Sequence, residues 1–300
     1  MLHSFFDGRR PRVFAHRGGS ALAPENTIVA FDRGLALGAD GLELDVHLSR
    51  DGIVVVHHDS GLERTTNLRG RLADYTADEL VRADAGYHFT PVPLEQVSGG
   101  SSTGSTDADS HGQMPQYPFR GQSVGIPALA TVVARYRDVP IVIELKLNEV
   151  ELTRRVVDVV RAADAIERVC LGSFGLRAIR EARRIEPRLA TSAAREEVRW
   201  ALYRSKCRWP VTRVGYQGYQ VPEWSGGTQV VSPRFVEHAH RANLGVQVWT
   251  VDESEDAHRL LGYGVDALIT DRPDVIVPLV RSRSTRNIAA VSNMNVSIPD

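Results

Sequence analysis

The chain has 300 residues, with 36 Lys and Arg against 37 Asp and Glu for a formal charge of −1, and 42 % of it is hydrophobic, a composition that can build a sizeable globular core. Charge so balanced, without a long basic block, offers no electrostatic footprint for nucleic acid or for an anionic membrane surface. Two cysteines, Cys170 and Cys207, cannot make a disulfide framework and lack a C-x-x-C spacing, so both are expected as reduced, buried thiols.

The first apolar interval, Leu2 to Phe6, is too short for the core of a signal peptide. No run of about 18 apolar residues occurs, so a cytoplasmic chain without a membrane span is expected. Short β-branched runs then alternate with helical patterns. Strands are predicted at 12–16, 41–46, 141–145, 168–173, 188–192, 212–217, 245–251 and 266–270. Helices are predicted near 27–38, 128–137, 149–163, 175–186, 196–206, 233–243, 253–262 and 273–280, several opened by Asn, Ser, Asp or Pro. Eight strand-then-helix units in series define a (β/α)8 TIM barrel, a single catalytic domain over 10–281. An open doubly wound sheet is second, because AHRGGSALAPEN after the first strand has no G-x-G-x-x-G turn.

Two segments fall outside the repeat. Residues 59–126 are too many for a connection and read as an insertion over the C-terminal face of the barrel, with 98–113 mobile because it is built almost wholly of small and polar residues. The end of the chain, 282–300, is rich in Ser, Asn and Arg without a helical period and is expected to be a flexible tail.

The chemistry gathers at strand ends. Glu43 and Asp45 in GLELDV are two apart, so period-two geometry points both carboxylates to one face, where a cation must compensate them. An ion pair is the bland reading for such a pair standing alone. Beyond it, Ser49-Arg50-Asp51-Gly52 reads as a hairpin turn into IVVVHHD. With Asp51 and Gly52 as a two-residue loop, His58 stands opposite Asp45; a three-residue loop shifts the parity and presents His57. The first strand ends in His16-Arg17, and the third in Glu144 and Lys146, again two apart. Only Lys146 and Lys206 are lysines among the 36 basic residues, so a lysine beside a strand-end Glu marks a place for a compact charge. Three carboxylates are hard oxygen ligands suited to Mg²⁺ or Ca²⁺ rather than zinc. Arg17 and Lys146 add cations beyond what a metal site needs, which implies an anionic, phosphate-bearing substrate. With two histidines able to move protons near neutral pH, the set describes phosphoester cleavage. No Ser-His-Asp or Cys-His nucleophile arrangement is evident.

The runs AHRGGSALAPENTIVAF, GADGLELDVHLSRDGIVVVHHDSGLERTTN and IVIELK, followed by VWTVD and LITDRPD, closely resemble the glycerophosphodiester phosphodiesterase family, in family order and over nearly the whole barrel. The resemblance implies metal-dependent hydrolysis of glycerophosphodiesters, such as glycerophosphocholine and glycerophosphoethanolamine, to an alcohol and sn-glycerol 3-phosphate. It implies His16 and His58 as the catalytic histidines, Glu43, Asp45 and Glu144 as ligands of one divalent cation, and Arg17 and Lys146 as phosphate-side cations. By the same resemblance Trp249 and Phe174 form an aromatic wall for glycerol. The family's H-D element selects His58 over His57. Glu25 and Asn26 fall in its E-N-T element, where Asn26 is a helix cap or a supporting group. Asp271 reads as a cap of the last helix and His111 as a solvated side chain. Two other functions are weighed: a lysophospholipase D-like action on lysophospholipids, which an apolar roof would favour, and a silent phosphate-binding barrel, which would lack one of the residues that are all present.

Overall fold

A computed structural model describes residues 3–8, 10–92, 117–211 and 213–294, with side chains through 283. Eight parallel strands form the barrel: β1 (Arg12–His16), β2 (Gly41–Leu48), β4 (Ile141–Leu145), β5 (Val169–Gly172), β6 (Ala190–Thr191), β7 (Gly218–Pro222), β10 (Gly245–Trp249) and β11 (Ala267–Thr270). Their order is β6-β5-β4-β2-β1-β11-β10-β7, and β8 (Trp224–Ser225) and β9 (Thr228–Gln229) pair as a separate two-stranded hairpin. The ring closes between Ser192 and Gly218, where the Ala193 N–H donates to the Gly218 carbonyl at 2.9 Å. Intervening helices α1 (Ile28–Ala36), α3 (Leu129–Arg135), α4 (Val150–Ala162), α5 (Leu176–Ile185), α6 (Arg195–Cys207), α7 (Pro233–His240), α8 (Ser254–Tyr263) and α9 (Pro273–Met294) wrap it. The predicted (β/α)8 barrel is therefore the observed fold.

Alternation along β2 shows how sequence becomes site. Leu42, Leu44 and Val46 point outward into a core shared with Phe31, Val132 and Val156 of the surrounding helices, which leaves Glu43 and Asp45 on the inner face. The barrel floor is plugged from outside the repeat. A 3₁₀ turn at Ser4–Phe6 inserts Phe5 and Phe6 beneath Phe14, Val142 and Cys170. Gly218 and Gly245 make room for that plug, since a Cβ on either would come within 2.6 Å of the Phe6 ring.

The same contact explains a correction. The sixth barrel strand is Gly218–Pro222, not 212–217. Gly-Tyr-Gln occurs twice in succession, at 215–217 and 218–220. Only the second copy places glycine against Phe6 and turns Tyr219 outward onto Phe235, with ring centroids 5.0 Å apart.

Three further expectations change. The hairpin from β2 to β3 (Val54–Val56) pairs Val46 with Val56 and Leu48 with Val54, so the loop has three residues rather than two. Ser49 causes this: its hydroxyl accepts the Ile53 N–H at 3.0 Å while Gly52, at φ 75°, supplies the left-handed step of a three-residue loop. Cys170 is buried as expected, but Cys207 is exposed at the end of α6. The backbone is helical to Met294, where a loose tail was expected; residues 295–300 lie outside the described residues, as do the expected mobile stretch 98–113 and His111.

The described part of the insertion builds its own small core. Leu62, Leu72, Leu80 of α2 (Ala77–Val81), Val124 and Ile126 pack on Val55 of β3. It meets the loop after β1, where the Val92 N–H donates to the Ala21 carbonyl at 3.2 Å. No helix among the described residues is long and apolar enough to cross a membrane.

Opposite the insertion, before β11, Asp266 ties several elements together. Its carboxylate accepts from Arg10 Nη1 at 2.6 Å, His240 Nε2 at 2.9 Å and the Val246 N–H at 2.7 Å. Burial pushes its pKa up, but His240, the Val246 N–H and Arg10 outweigh burial and hold it below the usual carboxylate range. A depressed folded pKa contributes stability above the unfolded pKa and loses it as pH falls through the folded one. The urea midpoint of the wild type should thus fall below about pH 4. Asp266→Asn should be about 1–3 kcal/mol less stable at neutral pH and show a shallower fall. Parallel pH curves for the two proteins would show that Asp266 does not titrate this way.

Candidate active site

β1 delivers His16 to the mouth, and the next residue turns sharply: Arg17 sits at φ 50°, in the left-handed region where non-glycine residues are strained. That turn aims the Arg17 N–H at Glu43 Oε2, 3.1 Å away. The guanidinium places Nη1 2.9 Å from Glu25 and Nε 3.3 Å from Asp45. Asn26 donates from Nδ2 to Asp45 at 2.9 Å and accepts the Asp45 N–H at 3.2 Å. Thr27, not Asn26, caps α1, so Asn26 is a supporting group of the carboxylate.

Asp45 and Glu144 are neighbours in register on β2 and β4. Lys146 Nζ lies 3.2 Å from both of them. Donor oxygens of Glu43, Asp45 and Glu144 fall within 4.8 Å of one another. Burial, then the charges of Asp45 and Glu144, push Glu43 up to about 8. Glu144 is raised as well, by burial and by Asp45 against the pull of Lys146. Asp45 is held low in spite of burial, because Lys146 and Arg17 favour its charged form. Asp45 Oδ1 is buried and makes no well-formed hydrogen bond. Crowded carboxylates, one fully buried and two with raised pKa, fit a hard divalent cation.

Each histidine carries a carboxylate partner. His16 Nδ1 is 2.7 Å from Asp271 Oδ1, and its Nε2 is 3.7 Å from Glu43. Burial disfavours the imidazolium, yet Glu43 and Asp271 outweigh it and raise His16 to about 9. The His58 Nδ1–H donates to Asp59 Oδ1 at 2.6 Å, and its positive form acts on both Asp45 and Glu144. Asp59 drops to about 2 despite burial, because Arg64 and His58 bond to it. Just beyond the ladder the His57 N–H donates to the Asp45 carbonyl at 2.9 Å, which continues its register, but the His57 side chain is buried with Nε2 at 3.2 Å from the Gly61 carbonyl. The chain leaves the sheet after Val56, and His58 reaches the mouth from outside the ladder.

Trp249 ends β10 over the inner core, and Phe174 follows β5 with its ring 6.0 Å from that of Trp249. They form an aromatic edge at the strand ends. Sequence reasoning missed the Asp271 and Asp59 partners and the Arg64 that binds Asp59. A carboxylate directly after a strand-end Thr270, and another directly after His58, were the available signals.

An eight-stranded parallel barrel with imidazoles, carboxylates and two cations at the strand ends has the make-up of a barrel hydrolase. Residues 16–275 match the Glycerophosphoryl diester phosphodiesterase family. A Glycerophosphodiester phosphodiesterase of Caldanaerobacter subterraneus subsp. tengcongensis is 31 % identical over 285 residues, covering 90 % of this chain and 97 % of its own. The chain belongs to the glycerophosphoryl diester phosphodiesterase family and is a phosphoric diester hydrolase. Solved structures share the fold. A glycerophosphoryl diester phosphodiesterase domain from Mycobacterium tuberculosis has a TM-score of 0.73 at 21 % identity, covering 90 % of this chain and 98 % of its own. An Oleispira antarctica phosphodiesterase, solved in complex with the product sn-glycerol-3-phosphate, has a TM-score of 0.66 at 24 % identity, covering 91 % and 97 %.

Proposed function

We propose that the protein hydrolyses glycerophosphodiesters, glycerophosphocholine and glycerophosphoethanolamine among them, to an alcohol and sn-glycerol 3-phosphate. Glu43, Asp45 and Glu144 would hold one divalent cation, Mg²⁺ or Ca²⁺, which when bound offsets charge growing on the phosphoryl oxygens. The observation that carries this reading is the pair of imidazole–carboxylate couples, His16–Asp271 and His58–Asp59, around one acidic cluster.

Asp271 and Asp59 occupy the Nδ1 of each imidazole, so Nε2 is the atom that exchanges a proton. One imidazole takes a proton from the attacking oxygen as the new P–O bond forms; that oxygen belongs to water, or to a glycerol hydroxyl whose cyclic phosphate water then opens to sn-glycerol 3-phosphate. The other gives a proton to the leaving oxygen as the bond to the alcohol breaks. Arg17, braced by Glu25 and Asp45, and Lys146 present cations to the phosphate. Trp249 and Phe174 offer an apolar wall to the glycerol carbons.

Purified protein should release sn-glycerol 3-phosphate from glycerophosphocholine and glycerophosphoethanolamine. Release should stop after EDTA treatment and dialysis and return with Mg²⁺ or Ca²⁺. Unchanged release in EDTA would remove the cation from the reading, and no release from either ester would overturn the substrate class.

A further inference from the structure

We propose that Arg64, on the insertion, is a positioning residue that sets His58 and Arg17 together by bridging the carboxylates that orient them. The inference rests on the function proposed above. Nη1 and Nη2 of Arg64 grip both oxygens of Glu25 at 2.7 Å each, while Nε bonds Asp59 Oδ2. The opposite oxygen of Asp59 takes the His58 Nδ1–H at 2.6 Å, and Glu25 Oε1 also takes Arg17 Nη1 at 2.9 Å. A continuous chain results, His58–Asp59–Arg64–Glu25–Arg17. It links the proton-carrying imidazole to the phosphate clamp through one planar guanidinium whose fork matches both carboxylates.

Geometry assigns this link to orientation more than to stability. The Arg64 side chain is 49 % exposed and that of Asp59 32 %, and solvated ion pairs contribute little to folding; Glu25 is more buried, at 14 %, but keeps Arg17 as a charged partner when Arg64 is removed. Asp59 joins His58 to Arg64 through separate oxygens, so without Arg64 its carboxylate can turn and let the imidazole swing. A displacement on the order of 1 Å at a reacting group costs about 10²-fold in rate.

Arg64→Ala should lower kcat by about 10- to 100-fold while the melting temperature moves by no more than about 2 °C. Arg64→Lys, a point charge that cannot hold both carboxylates, should recover only part of the loss. Asp59→Asn combined with Arg64→Ala should lose less than the product of the two single losses, since they share the His58 branch and only Arg64→Ala also reaches Arg17 through Glu25. In ¹⁵N spectra of the cation-free protein, His58 should keep its Nδ1–H tautomer in the wild type and lose that fixed form in Arg64→Ala. Turnover within about threefold of wild type, losses that multiply in the double variant, or an unchanged His58 tautomer would overturn the proposal. So would a large melting loss with turnover recovered on cooling, because Arg64 would then only pin the insertion. A wild type that releases no sn-glycerol 3-phosphate strikes the proposed function instead, and the His58 tautomer in the two proteins then decides the role of Arg64.

Discussion

His58→Ala should lower kcat by about 10²- to 10⁴-fold and leave the melting temperature nearly unchanged. The imidazole is partly exposed, with 27 % of its side chain open to solvent, and its ring bonds to Asp59, which keeps Arg64 as a partner once the ring is gone. Removing it therefore opens no cavity in a core and strands no buried charge. His57→Ala should behave in the opposite way. That ring is only 4 % exposed and bonds the Gly61 carbonyl, so its loss should cost about 1–3 kcal/mol of stability with a far smaller change in kcat. Steady-state release of sn-glycerol 3-phosphate and thermal melts on both variants separate the two roles. Near-normal turnover in His58→Ala would move proton transfer to another group, and a silent His57→Ala would name that group.

The two histidines also show where a sequence stops being legible. Asp-Gly between apolar runs announces a hairpin, yet it serves two- and three-residue loops alike. The side chain of Ser49, bonding Ile53 across the turn, decides between them. Register therefore placed His57 opposite Asp45, contrary to expectation, and His58 reaches the cluster because the backbone leaves the ladder after Val56. Parity was a sound guide on β2 and β4, whose outward residues are held by helices on one side. Glu43, Asp45, Glu144 and Lys146 converge as their spacing requires. What sequence periodicity could not express lies between elements. The Phe6 plug that selects Gly218 over Gly215 comes from the N-terminal turn. Asp271, read as a helix cap, follows the last strand and meets His16 from the first, 255 positions away. Such pairings exist only once the barrel has brought its first and last strands side by side.

Mg²⁺ or Ca²⁺ should raise the melting temperature of the wild type, and Asp45→Asn should abolish that rise together with turnover. An ion that binds only the folded protein stabilises it by about 2.7 kcal/mol at 100 times its Kd, or about 4–5 °C for a domain of this size. Asp45 is the fully buried member of the acidic cluster, and its Oδ1 has the Lys146 ammonium 3.2 Å away. An amide at that place keeps the bond from Asn26 but offers a hard cation no charge. Without any cation, two effects compete in the variant. Losing the Asp45 charge relieves Glu43, whose pKa that charge raises, but leaves Arg17 Nε and Lys146 Nζ without their shared anion. The depressed pKa of Asp45 shows that the cations win, since burial alone would have raised it. Asp45→Asn should thus melt no higher than the cation-free wild type at neutral pH. The gap should close as pH falls through the depressed Asp45 value, because the wild type then loses the same charge. A variant that keeps the full cation-dependent rise would put the ion away from Glu43, Asp45 and Glu144. A cation-free variant that melts higher than the wild type would mean that repulsion among the carboxylates, rather than their pairing with Arg17 and Lys146, governs the cluster.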